Sequence, residues 1–379
     1  MPRKLDKYSA HLADIHQLRE HSVNRFNQLK VVSSVFLCGA LLVGCGGSDH
    51  KKTSPSSSST SNSSSLSSIK QSSSSTSSVL PSNATLQQSL NIQGVAAATA
   101  DVSEFAGSPK CGVDIYHYTY NTLGGKGETI TASAALFVPT GAAPICSGSR
   151  PLLIDLHGTD TRKKLNLANL SEDEAQLSVA YFAAQGYITI MPNYAGYDTS
   201  NLAYHPYLNA DQQSQDVIDA ITAGKKVLAA VSTPTKENGK LFLTGYSQGG
   251  HVSIATHRAM QARGMTVTAS VGGAGPYALS SIVDKAFKGE PSDGAFGYLM
   301  MIIDSYQNSY GDIYKVPSDI YTTTFASAIE KLALGKFSFE NLLRNDVAGV
   351  DPDELLREYS HDLPVAACNI AARKFFDSF

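Results

Sequence analysis

The sequence predicts an α/β fold in which a mostly parallel sheet is covered by helices, with an antiparallel hairpin at its start and a helical insertion near its end. Three observations carry this. Short runs rich in Leu, Ile and Val recur at 151–156, 187–191 and 240–244, with a further strand at 267–271, all separated by stretches of helical length; such runs suit strands covered on both faces and joined by helical crossovers. Two alternating stretches, 111–120 and 129–138, flank Gly124-Gly125 and read as a hairpin. Finally, Gly245-Tyr246-Ser247-Gln248-Gly249 stands between an apolar strand and a helical pattern.

Taken from the N-terminus, the chain divides into 1–44, 45–85 and 86–379. Residues 31–43 form a mostly apolar run preceded by Arg25 and Lys30, too short to span a bilayer and placed as a secretory signal. It ends in Leu42-Val43-Gly44-Cys45, which resembles the lipobox of bacterial lipoproteins. That resemblance implies diacylation of Cys45. A plain signal peptide with a coincidental cysteine is the alternative. Gly46 follows where an aspartate would argue for inner-membrane retention, so the expected location is the cell envelope, at the outer membrane or cell surface, with release from the cell also open. Residues 54–78 are mostly serine with a few Thr, Pro, Lys and Asn, a composition unable to bury enough apolar surface to order itself. Such a tether of roughly 40 residues has an end-to-end distance of about 35 Å.

With 30 basic residues against 33 acidic ones and a net charge of −3, nothing suggests a nucleic-acid partner. The expected membrane contact is the lipid anchor alone. No motif points to a metal or an organic cofactor.

Within the body, the hairpin is followed by the strand at 151–156, a helix at 171–185, the strand at 187–191, a helix at 210–231, the strand at 240–244, a helix at 250–262 and the strand at 267–271. The hairpin brings Cys111 and Cys146 together, so a Cys111–Cys146 disulfide is expected, with two free thiols as the alternative. Cys368 is left without an evident partner. Residues 277–358 carry helical apolar spacing, including Phe296-Gly297-Tyr298-Leu299-Met300-Met301-Ile302-Ile303, and suit either a lid over a pocket or plain core.

The chemistry centres on Ser247. A serine in G-x-S-x-G at a strand-to-helix corner is the nucleophile elbow of the α/β-hydrolase fold, where small flanks let the hydroxyl stand clear and the helix N-terminus favours developing negative charge. The simpler reading is a helix-capping serine. The fold takes one oxyanion donor from the residue after the nucleophile and another from the loop after an earlier strand. Here these are the N–H groups of Gln248 and Thr159, the latter in Leu156-His157-Gly158-Thr159. His157 reads as a strand-end histidine that fixes the loop. The aromatics of Pro192-Asn193-Tyr194-Ala195-Gly196-Tyr197-Asp198 suit a pocket rim or loop packing equally.

His157-Gly158-Thr159, Asn193-Tyr194-Ala195-Gly196-Tyr197, His205-Pro206-Tyr207 and Gly245-Tyr246-Ser247-Gln248-Gly249-Gly250-His251 occur in this order. Over residues 111–321 they resemble the secreted bacterial α/β-hydrolases related to fungal secretory lipases. Cutinases share the Gly-Tyr-Ser-Gln-Gly elbow but are smaller. The resemblance implies hydrolysis of small-molecule or lipid carboxylic esters through an acyl-serine at Ser247, beneath a helical lid.

One part of the pattern departs. A triad of this fold continues from Ser to Asp or Glu and then His, but only His251, His257 and His361 follow Ser247. The first two fall on the helix after the elbow. His361 is then the weak candidate base, with Asp351 or Asp353 as the weak candidate acid; a helix would put Asp353 about 12 Å from His361, too far to hydrogen-bond. A chain that stops early is the more economical expectation, which would make it an impaired remnant of a hydrolase. A serine peptidase or acyltransferase on the same fold is a further alternative.

Overall fold

The computed structural model describes residues 83–288 and 295–321. Cys45, the Ser-rich linker at 54–78, Asp351, Asp353, His361 and Cys368 lie outside the described residues, as does the insertion beyond Tyr321.

Seven strands form one sheet among the described residues: β1 (Ala84–Leu90), β2 (Gly112–Leu123), β3 (Thr129–Thr140), β4 (Gly148–Leu156), β5 (Ile188–Pro192), β6 (Thr235–Tyr246) and β7 (Ala269–Gly273), in the order β1-β2-β3-β5-β4-β6-β7. β1, β2, β3 and β5 pair antiparallel, whereas β5, β4, β6 and β7 pair parallel. This is the mixed sheet, with an antiparallel start and a parallel core, that the sequence predicts. The strand β1 begins at Ala84, inside the span 45–85 assigned to the linker, and went unanticipated. Its central residues Thr85 to Ser89 are exposed and, Leu86 apart, polar, so it lacks the continuous apolar signal that marks the covered strands.

Among the described residues the helices longer than one turn are α1 (Ile92–Ala98), α2 (Asp173–Tyr181), α3 (Ala210–Ala230), α4 (Gln248–Ala262), α5 (Leu279–Phe287) and α6 (Ala295–Tyr310). Helix α3 starts at Asn209, whose side chain accepts from the Gln212 N–H, and it lies close on the sheet: Tyr118 donates its hydroxyl to Ala220 O at 2.8 Å, and a Cβ on Gly224 would meet that hydroxyl at 2.7 Å. One large apolar cluster joins the sheet to α2, α3 and α4. A second gathers Leu299, Ile303 and Tyr306 of α6 with Tyr207, Leu208 and Ala255. The described part of the helical insertion thus packs on the chain just before α3.

Cys111 and Cys146 form a disulfide with their Cα atoms 5.4 Å apart, as the hairpin geometry leads one to expect.

Candidate active site

Ser247 is the one residue between β6 and α4, and its backbone is held at φ 55°, ψ −119°. A non-glycine residue with φ in this range is under strain of about 1–3 kcal/mol, sustained only where the surroundings enforce it. The enforcing contacts are backbone ones. Ser247 N–H donates to Gly273 O of β7 at 2.8 Å, and its carbonyl accepts the first helical bond from His251 N–H. In the parallel register Leu156 of β4 faces Gly245 of β6, so the loops leaving both strands emerge side by side. A Cβ on Gly245 would lie 2.6 Å from Leu156 O, and one on Gly249 would sit 2.5 Å from the Leu156 carbonyl carbon and closer still to its oxygen. The glycines of the motif are there because α4 is pressed against the end of β4. Among the described residues the Ser247 hydroxyl has no hydrogen-bond partner.

Thr159 follows the end of β4. Its neighbour Gly158 donates its N–H to both oxygens of Glu174, at 3.1 and 3.0 Å. The Thr159 N–H has no acceptor among the described residues. Within this loop Glu174, which the sequence reading did not single out, therefore occupies one N–H and leaves the next one open. Thr159 Oγ1 is 2.8 Å from the Tyr207 hydroxyl.

His157 is buried, its ring stacked on Tyr194 at 4.1 Å and edge-on to Tyr197 at 5.7 Å. Burial lowers its pKa, and its nitrogens face the carbonyls of Gly158 and Asn193. It fixes the loop. Tyr194 and Tyr197 are fully buried as well, which decides between the two roles open for the 192–198 segment: it is loop packing, not pocket rim. Tyr194 takes a left-handed backbone, φ 64°, and polar ties hold it there. Asn193 bridges Ser133 and the Leu167 N–H. The Lys163 ammonium donates to Gly196 O, Ser200 O and Leu202 O. Burial alone would raise the Asp198 carboxyl, but hydrogen bonds from His117 and Ser133, at 2.7 and 2.6 Å, outweigh it and hold it below its usual value.

Beneath this loop lies Asp216 of α3, wholly buried, taking the Ala195 N–H at 2.7 Å and the Tyr120 hydroxyl at 2.8 Å. Burial pushes its carboxyl up to about 7, partly offset by those two bonds. A carboxyl whose folded pKa is raised contributes stability that is present below the unfolded value near 4 and is lost as pH rises through about 7. Asp216→Asn removes that titration and strains one of two buried hydrogen bonds, for a cost of about 1–2 kcal/mol. In urea melts the wild type's advantage over the variant should be larger at pH 5 than at pH 8. Equal advantages at both pH values would remove Asp216 as the titrating group.

His257 bonds Ser270 of β7 through Nδ1 at 2.7 Å, and His251 is buried one turn after Ser247, its pKa lowered by burial to about 4. Both lie on α4, as the sequence reading placed them.

Among solved structures the chain is similar to the rice cell wall degrading esterase LipA from Xanthomonas oryzae, at 31% identity and TM-score 0.68, covering 79% of each chain. The chain belongs to the lipase- and esterase-like α/β-hydrolases. Two more distant likenesses concern the fold of this hydrolase alone: a putative hydrolase from Legionella pneumophila (21% identity, TM-score 0.67, 77% of this chain and 78% of that one) and Candida antarctica lipase A (13%, TM-score 0.52, 76% and 63%). No protein-family model and no curated protein sequence matches the hydrolase.

Proposed function

We propose that this hydrolase cleaves carboxylic esters by nucleophilic attack of Ser247, with the N–H groups of Thr159 and Gln248 receiving the charge that develops on the carbonyl oxygen. The observation that carries the reading is the strained backbone of Ser247 at the β6–α4 corner, a conformation kept against its cost where a nucleophile must be presented. In the first half-reaction Ser247 Oγ bonds the acyl carbon while its proton passes to a base and then to the departing alcohol. In the second, water adds to the acyl carbon, the bond to Ser247 Oγ breaks, the carboxylic acid departs and Ser247 regains its proton. Two preorganised donors at the oxyanion are each worth about 3 kcal/mol of barrier.

The cover over the pocket is assigned to the insertion that begins with α5 and α6, whose apolar composition favours acyl chains over charged substrates. Lipidation at Cys45 would tether the enzyme at the cell envelope. Treating the purified full chain with a fluorophosphonate, followed by peptide mass spectrometry, should place one adduct on Ser247 and end turnover of p-nitrophenyl esters together. Labelling elsewhere, or none, would sink the serine mechanism. Metabolic labelling with an alkyne fatty acid that is lost in Cys45→Ser tests the anchor.

A further inference from the structure

The tripeptide His205-Pro206-Tyr207 touches both proposed oxyanion donors from outside the elbow. Tyr207 reaches Thr159 Oγ1 through its hydroxyl at 2.8 Å, and His205 Nε2 lies 2.6 Å from Gln248 Nε2. We infer that this segment is a clamp that aims the two donors: His205 fixes Gln248 by its side-chain amide and Tyr207 fixes Thr159 by its side-chain hydroxyl. The inference rests on the reading of Thr159 and Gln248 as the oxyanion pair.

The hydrogen-bond directions are fixed by chemistry. His205 Nδ1 lies 2.8 Å from Ala195 O, a group that only accepts, so Nδ1 carries the proton. Burial pushes the His205 imidazole down to about 3, so the ring is neutral and Nε2 presents a lone pair. Only the amide nitrogen of Gln248 satisfies that lone pair; a turned amide would set oxygen against it. Gln248 Oε1 is buried with no partner among the described residues, which leaves His205 as the contact that orients the side chain. Burial raises the Tyr207 phenol, so it stays protonated as a hydrogen-bonding hydroxyl.

The clamp is itself rigid. Pro206 fixes its own φ, Tyr207 N–H returns to His205 O at 2.7 Å, and Asn209 N–H bonds Pro206 O at 3.1 Å just before α3. His205 is packed against Tyr197, ring centres 4.6 Å apart. A Cβ on Gly196 would meet His205 Cα at 2.9 Å, so the 193–200 loop backs the histidine directly. From the other side Tyr306 of α6 donates to Leu208 O at 3.2 Å. The polar ties of that loop thereby acquire a purpose, since they support the ring that holds Gln248.

Gln248→Met keeps the backbone N–H and the length of the side chain while deleting the amide, and Tyr207→Phe keeps the ring while deleting the hydroxyl. Measured on the full chain with p-nitrophenyl esters, each should lower kcat about tenfold with KM changed less than twofold, and melt within a few degrees of wild type. Inhibition by an aryl trifluoromethyl ketone, which binds as an oxyanion, should weaken by the same factor. Tyr207→Phe should have no further effect in a Thr159→Val background, because the coupling runs through one hydroxyl pair. Unchanged kcat in both single variants, or full additivity of Tyr207→Phe with Thr159→Val, overturns the clamp. An active wild type that carries no fluorophosphonate on Ser247 overturns the serine reading itself, and the clamp with it.

Discussion

Ser247→Ala is expected to lower kcat for p-nitrophenyl esters by about a millionfold, the scale on which removal of a serine nucleophile acts when base and oxyanion donors remain. Residual turnover of about 10³ over water would come from binding and from the oxyanion donors. The same position makes a second, opposite forecast for stability. Ser247 sits at φ 55°, ψ −119°, where glycine meets no steric penalty. Ser247→Gly should therefore be as inactive as the alanine variant yet raise the unfolding free energy by about 1 kcal/mol. Ester turnover and urea melts on the three proteins decide both points. Activity in Ser247→Ala within tenfold of wild type would dispose of the nucleophile, while a glycine variant no more stable than wild type would show that the backbone is not strained.

The covered strands and the elbow were legible because each is written in contiguous residues. Residues 187–191 announce β5 by being apolar except at Thr189, and 240–251 announce the corner by placing strand, glycines and helix in succession. Register and partner are different matters. The polar edge strand β1 owes its existence to β2, against which it pairs from Ala84 to Leu90, and no local pattern could reveal it. The supports of the site are equally non-local: Tyr207 meets Thr159 across 48 residues, and His205 meets Gln248 across 43. In the sequence His205-Pro206-Tyr207 was visible only as part of a resemblance; its chemistry becomes legible once α3 and α4 bring the partners together. Asn193, Tyr194 and Tyr197 show the reverse. Clustered aromatics after a strand fit a pocket rim or a packed loop, and burial alone decides between them.

The largest loss of stability is expected from Gly249→Ala. The added methyl carbon would stand 2.5 Å from the Leu156 carbonyl carbon and 2.9 Å from His157 O, with the Leu156 oxygen nearer than either. All three atoms are backbone, at the end of a strand hydrogen-bonded on both sides to β5 and β6, so no rotamer change relieves the overlap. Either α4 must back away from β4, breaking the contact that holds Ser247 in place, or β4 must bend. Overpacking of this kind costs about 3 kcal/mol, which for a domain of this size lowers Tm by about 6–12 °C. Gly158→Ala is the matched control on the adjoining loop. Its Cβ would meet the Glu174 carboxylate at 3.2 Å and Tyr246 O at 3.7 Å, and the Glu174 side chain has freedom to shift, so a cost of about 1 kcal/mol or less is expected. Calorimetry on the two variants separates a helix pressed on a strand from a loop with slack. A Gly249→Ala protein melting within 2 °C of wild type would mean that α4 does not bear on β4, and the steric account of the elbow would have to be abandoned.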